Sequence, residues 1–262
     1  MSGKQRPGDE SFTSFVTAWL ELELLARESG CFTMRIVSIT FDDGFRSSAE
    51  TAMPILERYR FKATFYVVTG LVEPAGSGKD DPFNSRCAHG TWDFWRKVVN
   101  AGHEVGGHSF SHAFLGGLVG FFPWTMAREI GQSARDLRRE LPAGRYTMSM
   151  PYNSSSMLSR FYARRYFSAC RIGSSYGEYN SITSHEPYKL RSWVFEPGHG
   201  LEDLALVLER LPEENWLILQ FHTFGTEGWS PIPVTTFESL CAMIADHCVS
   251  VRTVKEVVLA RH

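Results

Sequence analysis

From Met34 onward, short runs of β-branched and apolar residues alternate with longer segments of helical spacing. The first pair is a strand predicted at 35–40 and a helix predicted at 48–59. Further strands are predicted at 63–68, 103–105, 146–150, 190–195, 216–221 and 249–253, and further helices at 92–100, 126–140, 201–210 and 237–247. Because consecutive parallel strands need a crossover helix, this alternation indicates an α/β fold with a parallel sheet. No linker or repeat divides the stretch, so residues 34–262 are predicted to form one domain.

Residues 1–33 are predicted to form an N-terminal extension with one amphipathic helix at 11–28. Ser11 is a suitable N-cap and Gly30 a stop signal, and apolar side chains recur at three- and four-residue steps: Phe12, Phe15, Val16, Trp19, Leu20 and Leu24. Packing on the main domain and contact with a partner both fit this pattern. Packing is the more common role of a single amphipathic helix.

The composition is that of a globular protein without a strong charge bias. The 262 residues include 27 basic and 29 acidic side chains, a net charge of -2 that disfavours nucleic-acid binding. No apolar run approaches the roughly 18 residues that a membrane span requires. Residues 1–10 lack the features of a secretory signal, so a cytoplasmic location is expected. The five cysteines form no C-x-x-C pair and are expected to be reduced. The sequence does not specify the oligomeric state.

Two adjacent carboxylates, Asp42 and Asp43, follow the first predicted strand directly. In parallel α/β folds the functional residues gather at the carboxyl ends of the strands. Neighbouring side chains that leave a strand point in different directions, so one carboxylate can face a metal ion and the other the substrate's water. A solvated Asp-Gly turn ending at Gly44 is the alternative interpretation.

A pair of histidines, His108 and His112, follows the strand predicted at 103–105. Imidazoles four residues apart lie on one face if the segment is helical, a spacing suited to a divalent ion. Buried or surface histidines without a metal are the alternative. Together with one carboxylate, the pair would form a facial ligand set with open positions, suited to Zn, Fe, Co or Mn.

Two further polar positions lie at predicted strand ends. Tyr152 follows 146–150, and His222 follows the apolar run 216–219. His222 is a candidate general acid, and a hydrogen-bonded histidine at a strand end is the alternative. Among the aromatic residues, Tyr152 and Trp193 are candidates for contact with a substrate, because aromatic faces offer a stacking surface, and core packing explains such residues equally well.

Three blocks of residues, in this order and spacing, resemble the polysaccharide deacetylase family, also called the NodB-homology domain. They are Ile39-Thr40-Phe41-Asp42-Asp43-Gly44, Lys62-Ala63-Thr64-Phe65-Tyr66-Val67, and the run from Gly102 to His112 that contains both histidines. The resemblance covers about residues 34–258. It implies a distorted (β/α) barrel with fewer than eight full strands, here preceded by an N-terminal helix, and metal-dependent removal of acetyl groups from N-acetylated sugars.

The resemblance also implies a role for each matching residue. Asp42 would be the general base, His222 the general acid, and the backbone N–H of Tyr152 part of the oxyanion site. The metal ligands, holding one divalent ion with Zn favoured and Co, Mn, Fe or Ni as alternatives, would be Asp43, His108 and His112.

The sequence departs from the family pattern at two positions. Family members often carry an arginine two residues before the Pro of the Pro-Tyr motif, where it pairs with the base, but this chain has Ser149. Arg191 is the predicted replacement that tunes the base, and Arg145 is the second candidate. Family members usually carry a leucine two residues before the late histidine, where this chain has Gln220.

These residues predict a metal-dependent hydrolase that removes an N-acetyl group from an amino sugar or an N-acetylated glycoside. One alternative is a related C–N hydrolase of the same fold, acting on a cyclic imide, ureide or formamide, or an O-acetyl esterase. The other is a non-catalytic saccharide-binding module. Retention of a base and an acid beside the metal ligands argues against a pure binder, which needs neither.

Overall fold

Strand β1 (Ile36–Phe41) is the buried centre of a curled sheet, and its end determines where the candidate site lies. It pairs in parallel with β2 (Ala63–Val67) on one side and β8 (Asn215–Phe221) on the other. The computed structural model describes residues 34–73, 88–117, 122–173, 176–226 and 228–260. The helix predicted at 11–28 lies outside these residues, so the N-terminal extension stays a prediction.

The other strands continue the sheet beyond β2. β3 (Glu104–Gly107), β4 (Thr147–Ser149) and β5 (Ala169–Arg171) follow in parallel, in the order β5-β4-β3-β2-β1-β8. Three further strands have two residues each. β6 (Asn180–Ser181) pairs with β8 in antiparallel orientation, and β7 (Trp193–Val194) pairs with β8 in parallel. β9 (Ser250–Val251) pairs in parallel with β1. Leu190 bridges to β5, so the segment from Leu190 to β7 links β5 to β8. The described residues therefore form the deformed barrel with fewer than eight full strands that the sequence predicts.

Helices follow most of the strands. They are α1 (Arg46–Arg58), α2 (Trp92–Asn100), α3 (Pro123–Met126), α4 (Ser133–Glu140), α5 (Met157–Tyr166), α6 (Leu201–Glu209), α7 (Val234–Asp246) and α8 (Val254–Leu259). A π-helical segment, Ala127–Gln132, joins α3 to α4, so the helix predicted at 126–140 is present but not regular. Within the described residues, no helix has the length and apolar character to cross a bilayer.

Alternation along β1 separates the apolar layer of the fold from the barrel interior. Ile39 and Phe41 belong to the hydrophobic core, and the Phe41 ring lies 5.6 Å from that of Phe237 on α7. Between them, Thr40 donates its hydroxyl to a backbone carbonyl of β8 at 2.8 Å. Successive side chains of a strand point to opposite faces, so Asp42 continues the interior row of Thr40. The strand period thus places a carboxylate at the mouth of the barrel.

Four described elements have no counterpart among the predicted ones: β5, β6, α5 and α8. Strand β5 is three residues long, too short for an alternation to be detected. Helix α5 buries only Ser159 and Ala163, so it lacks the apolar stripe that marks an amphipathic helix. The omission of β5 matters most, because it carries a residue of the candidate site.

The cysteines only partly follow the expectation of a reduced set. Cys170 and Cys241 are free and buried. Burial raises the pKa of each of these thiols to about 12, so both are uncharged at neutral pH. Cys248 is disulfide-bonded, and for this residue the expectation is wrong.

A pH-dependent contribution to stability comes from His103, which immediately precedes β3. Its side chain is 6% exposed, and its Nδ1 accepts a hydrogen bond from the Ala63 N–H at 3.1 Å. Burial, followed by the charge of Lys62, lowers the pKa of His103 from 6.5 to about 4. As the pH falls, the unfolded chain therefore binds this proton before the folded chain does. The contribution is complete above pH 6.5 and is lost progressively between pH 6.5 and about 4.

We expect protonation of His103 alone to lower the free energy of unfolding by up to about 3 kcal/mol as the pH falls from 6.5 to about 4, since one pKa unit corresponds to about 1.4 kcal/mol. Urea denaturation from neutral pH to about pH 4.5 measures the effect in wild type and in His103→Asn. Asparagine keeps an acceptor near the position of Nδ1 but does not titrate. The pH dependence of the variant should be shallower, and parallel curves for the two proteins would contradict the assignment.

Candidate metal centre and active site

A cleft of about 540 Å³ opens at the carboxyl ends of the barrel strands. Six of the predicted site residues line it: Asp42, Asp43, His108, His112, Tyr152 and His222. They follow β1, β3, β4 and β8, strands that are far apart in the sequence but close in the sheet. The parallel barrel thus brings the predicted base, metal ligands and acid to one cavity.

The turn after β1 separates the two aspartates. The Asp42 N–H still donates to the Phe221 carbonyl of β8 at 2.9 Å, whereas Asp43 and Gly44 have left-handed backbones with φ of 69° and 71°. A Cβ at Gly44 would lie 2.8 Å from the Val67 Cα, so only glycine fits this turn. The left-handed backbone of Asp43 is a strained conformation of the kind that clusters at functional sites.

The two histidines meet through a loop and not through a helical turn. Residues 108–112 are irregular, with φ of 64° at Ser109 and 57° at His112. Glu129, buried in the π-helical segment, accepts hydrogen bonds from the Ser111 N–H and hydroxyl, each at 2.9 Å. This carboxylate fixes the middle of the loop and therefore the spacing of the two imidazoles.

Asp43, His108 and His112 form a donor set of the size that a metal ion requires. Asp43 Oδ1 lies 3.5 Å from His108 Nε2 and 3.3 Å from His112 Nε2, and donor atoms of all three residues lie within 4.8 Å of one another. His108 Nδ1 lies 3.0 Å from the Ser149 carbonyl oxygen, which leaves Nε2 to face Asp43. One carboxylate and two imidazoles suit Zn and related divalent ions, so the residues present fit the predicted metal.

Charges within the site keep both aspartates ionised. Burial alone would raise the pKa of Asp42, but the positive charges of Arg171 and His108 lower it below its ordinary value. Burial acts in the same way on Asp43, and hydrogen bonds from His108 and His112 hold its pKa well below the ordinary value. Both carboxylates are therefore anionic at neutral pH.

The cation beside Asp42 is Arg171, which the sequence analysis did not identify. Its side chain is fully buried, and its Nη2 donates to Asp42 Oδ2 and, at 2.7 Å, to Ser149 Oγ. Ser149 of β4 and Arg171 of β5 are partners in the sheet register, so their side chains enter the barrel side by side. The small serine leaves room for a guanidinium supplied by the neighbouring strand.

The prediction that Arg191 tunes the base is wrong. Its guanidinium donates to Glu178 Oε1 at 2.6 Å, with 53% of the side chain exposed. The next residue, Ser192, points inward and accepts from Arg171 Nη1 at 2.7 Å, so the alternation of the extended chain turns Arg191 outward. Arg145, the second candidate, is exposed and lines a different cavity.

Gln220 belongs to the same buried network, which accounts for a polar residue at this position. Its Nε2 donates to Asp42 Oδ2 at 3.0 Å, and its Oε1 accepts from Arg171 and, at 3.0 Å, from Ser192. Asp42 Oδ2 therefore accepts from Arg171, Gln220 and Ser149. Asp42 Oδ1 is buried without a hydrogen-bond partner among the described residues. One oxygen of the carboxylate is held in place and the other is left for chemistry.

His222 lies directly after β8 in the wall of the cleft. Its carbonyl accepts from the Ser48 hydroxyl at 2.7 Å, and its Nδ1 is buried without a hydrogen-bond partner in the described part of the chain. Burial lowers the pKa of His222, and the carboxylates of Asp43 and Asp42 oppose that shift without cancelling it. The ring can therefore release a proton readily once it is charged.

Of the two aromatic residues assigned to substrate, only Tyr152 reaches the cleft. Its backbone φ is 57°, and its ring centroid lies 4.7 Å from that of His112. Trp193 is buried among other aromatic rings, so its assignment to substrate is wrong, and the adjacent Val194 lines the cleft instead. Trp229, which was not assigned, is 69% exposed and lines the cleft. The one sequence feature that could have indicated a role for Trp229 in the cleft is its position in the loop after His222.

The sequence matches the family model described as polysaccharide deacetylase over residues 29–166. Among curated proteins, a gellan lyase from Bacillus sp is 25% identical over an alignment of 141 residues, and the match covers 46% of this chain and 5% of that protein. The chain thus spans only 5% of the length of this curated relative.

Solved structures of the same fold come from several sources. The Xyl-CE4 domain of a multidomain xylanase from the hindgut metagenome of Trinervitermes trinervoides is 16% identical, with a TM-score of 0.59 over 87% of this chain and 91% of that one. A family 4 acetyl xylan esterase from Clostridium thermocellum, in complex with a cobalt ion, is 17% identical, with a TM-score of 0.54 over 86% and 91%. A CE4 family pseudoenzyme from Bacillus anthracis is 16% identical, with a TM-score of 0.55 over 86% and 66%. These likenesses show the fold, and because the family model covers more than half of its residues, the chain belongs to the polysaccharide deacetylase family.

Proposed function

We propose that this chain is a metal-dependent hydrolase that removes the N-acetyl group from an amino sugar or an N-acetylated glycoside. The observation that carries the proposal is the arrangement of Asp42, whose Oδ2 is held by a buried network while its Oδ1 is unpartnered among the described residues. A general base needs a fixed carboxylate with one oxygen free to take a proton. A saccharide-binding module has no use for such a base beside a set of metal ligands.

Asp43, His108 and His112 would hold one divalent ion, with zinc favoured and cobalt, manganese, iron or nickel as alternatives. Such an ion would supply polarisation of the acyl oxygen and a lower pKa for water in the cleft. The distances within the donor set support this role, as does the contact of His108 Nδ1 with the Ser149 carbonyl. Imidazole ligands of metals usually have such a partner on their other nitrogen.

In the proposed reaction, water attacks the acetyl carbonyl carbon while Asp42 Oδ1 takes its proton. The C–N bond then breaks, acetate leaves, and His222 gives a proton to the departing amine nitrogen. The backbone N–H of Tyr152 would donate to the developing oxyanion. The assignment of base and acid is supported by the pairing of β1 with β8, which puts Asp42 and His222 in one cleft.

The walls of the cleft support a saccharide substrate. The side chains of Tyr152 and Trp229 are 61% and 69% exposed where they border it. Exposed aromatic rings offer the flat apolar surface on which sugars stack. An O-acetyl esterase is the second candidate, favoured by the fold shared with the acetyl xylan esterase. The cytoplasmic location stays a prediction.

Acetate release tests the proposal. Purified protein is offered N-acetylglucosamine oligomers, acetylated xylan and a cyclic imide, each with and without a metal chelator. We expect turnover of the N-acetylated oligomers that chelator abolishes and added zinc restores. Preferential turnover of xylan would favour the esterase, and turnover of the imide would favour the related C–N hydrolase. Saccharide binding without turnover, in protein loaded with metal, would show a binding module.

Replacement of Arg171 by methionine should impair both the stability and the pH response of the enzyme. Breaking a buried ion pair from one side costs about 3 to 5 kcal/mol, so thermal denaturation should occur at a clearly lower temperature. Burial would then raise the pKa of Asp42 without the guanidinium to oppose it. We therefore expect the acidic limb of the pH–rate profile to move to higher pH.

Arg191→Met is the matched control, because its ion pair with Glu178 is exposed and such pairs contribute about 0 to 1 kcal/mol. It should leave both measurements nearly unchanged. An Arg171→Met enzyme with the stability and pH profile of wild type, or an Arg191→Met enzyme with a displaced acidic limb, would refute the assignment of Arg171.

A further inference from the structure

We propose that the protein binds a phosphate monoester that carries a ring able to stack on an aromatic side chain, such as a sugar phosphate or a nucleotide, in a second cavity at the opposite end of the barrel. This cavity of about 430 Å³ is lined by Tyr146 and Ser168, the residues that precede β4 and β5. The candidate active site lies at the other end of the same strands, after Ser149. The two cavities share no lining residue.

Three arginines, Arg138, Arg145 and Arg165, line this second cavity, and none of its described lining residues is an aspartate or a glutamate. None of the three forms an ion pair with the residues that the structure describes. Elsewhere, arginines such as Arg46 and Arg58 have a carboxylate partner. Guanidinium groups that line a cavity without a counter-charge provide N–H groups that can donate hydrogen bonds to a phosphate dianion.

The surrounding charge reinforces this site. Residues 123–172 contain nine arginines and three acidic residues, in a chain whose net charge is -2. Two of those acids, Asp136 and Glu140, are paired with Arg139, and Glu129 holds the histidine loop. Nearby Glu186 is paired with Lys189. Within the part of the chain that the structure describes, these acidic side chains near the cavity are thus engaged elsewhere and do not cancel its positive potential.

The aromatic walls of the cavity are fixed in place. The Tyr146 hydroxyl donates to the Pro142 carbonyl at 2.6 Å, and the Tyr188 hydroxyl donates to the Phe167 carbonyl at 2.9 Å. With their hydroxyls bonded to backbone, both side chains are held in one orientation at the cavity wall, and the Arg164 guanidinium lies 5.4 Å from the centroid of the Tyr188 ring. The Arg138 guanidinium is similarly held by the Tyr166 carbonyl. This combination of fixed rings and cations favours a ring bearing a phosphate over a free small anion.

Isothermal titration calorimetry with inorganic phosphate, a hexose 6-phosphate and adenosine monophosphate tests the proposal and distinguishes the sources of the phosphate. Wild type should bind one or both of the ring phosphates more tightly than inorganic phosphate. Arg145→Gln combined with Arg165→Gln should weaken that binding by about 10-fold or more, since two charge-assisted hydrogen-bonding groups are lost. Both side chains are exposed, so the fold should be retained, and circular dichroism checks this.

Arg60→Gln combined with Arg210→Gln is the matched control, because it removes the same charge from exposed positions outside the cavity. It should bind as wild type does. The proposal fails if wild type binds none of the three probes, if the cavity variant binds them unchanged, or if the control loses as much affinity as the cavity variant. Binding that persists in the cavity variant would place the phosphate elsewhere, including at the metal ligands. Acetate release is not used as a readout, so this result is independent of the proposed deacetylase activity.

Discussion

Asp42→Asn is expected to reduce acetate release from N-acetylglucosamine oligomers by about 100- to 10,000-fold, the usual contribution of a general base. Asparagine has nearly the size of aspartate and still offers one oxygen to Arg171. It cannot take a proton from water. The loss should therefore appear in kcat far more than in KM, because substrate contacts elsewhere in the cleft are unchanged.

Asp93→Asn provides the control for this substitution. Asp93 is exposed on α2 and, among the described residues, pairs with Arg96, so its replacement should leave turnover within about twofold of wild type. Bound zinc should be retained in Asp42→Asn, because Asp42 is not one of the proposed ligands. Turnover by Asp42→Asn at the wild-type rate would show that another group removes the proton.

His112→Ala is expected to abolish turnover by removing one of three protein ligands from the metal site. Asp43 and His108 would remain, and two ligands hold a divalent ion much more weakly than three. The His112 ring lies at the cleft surface against the Tyr152 ring, so its truncation should disturb the core little. We expect no detectable acetate release at micromolar zinc.

His247→Ala is the matched histidine substitution, because this ring lies at the end of α7, outside the cleft, and contacts the Met243 carbonyl. It should release acetate as wild type does. Full activity of His112→Ala in zinc-depleted buffer would remove this residue from the proposed ligand set.

Much of the candidate site was predictable because most of its residues come soon after a strand that the sequence pattern reveals. Asp42 and Asp43 follow a six-residue strand of apolar and β-branched residues, and His108 follows another buried strand. The rule that functional side chains lie at the carboxyl ends of parallel strands brings them together without further information. The family resemblance then gave each residue its proposed role.

Arg171 could not be predicted because its position depends on strand pairing. Its strand has three residues, and nothing in Ala169-Cys170-Arg171 distinguishes it from a loop. Only the register, in which Ser149 pairs with Arg171, shows that the missing arginine side chain could come from the adjacent strand. Arg191 lies in the strand predicted at 190–195, but the alternation that points Ser192 inward turns Arg191 outward.

The conformation of the histidine loop, residues 108–112, could not be predicted from the sequence pattern either. The four-residue spacing suggested a helical turn, whereas left-handed residues at Ser109 and His112 produce the contact with Asp43. The bond that stabilises this loop comes from Glu129, in a π-helical segment far along the chain. Long-range contacts of this kind leave no periodic signal.

The amount of zinc bound per chain, measured by equilibrium dialysis and elemental analysis, tests the metal centre most directly. We predict one ion per chain for wild type, Asp42→Asn and His247→Ala, and less than one tenth of that for His112→Ala at the same free zinc concentration. Wild-type protein that takes up no divalent ion, or His112→Ala protein that binds a full equivalent, would contradict the account.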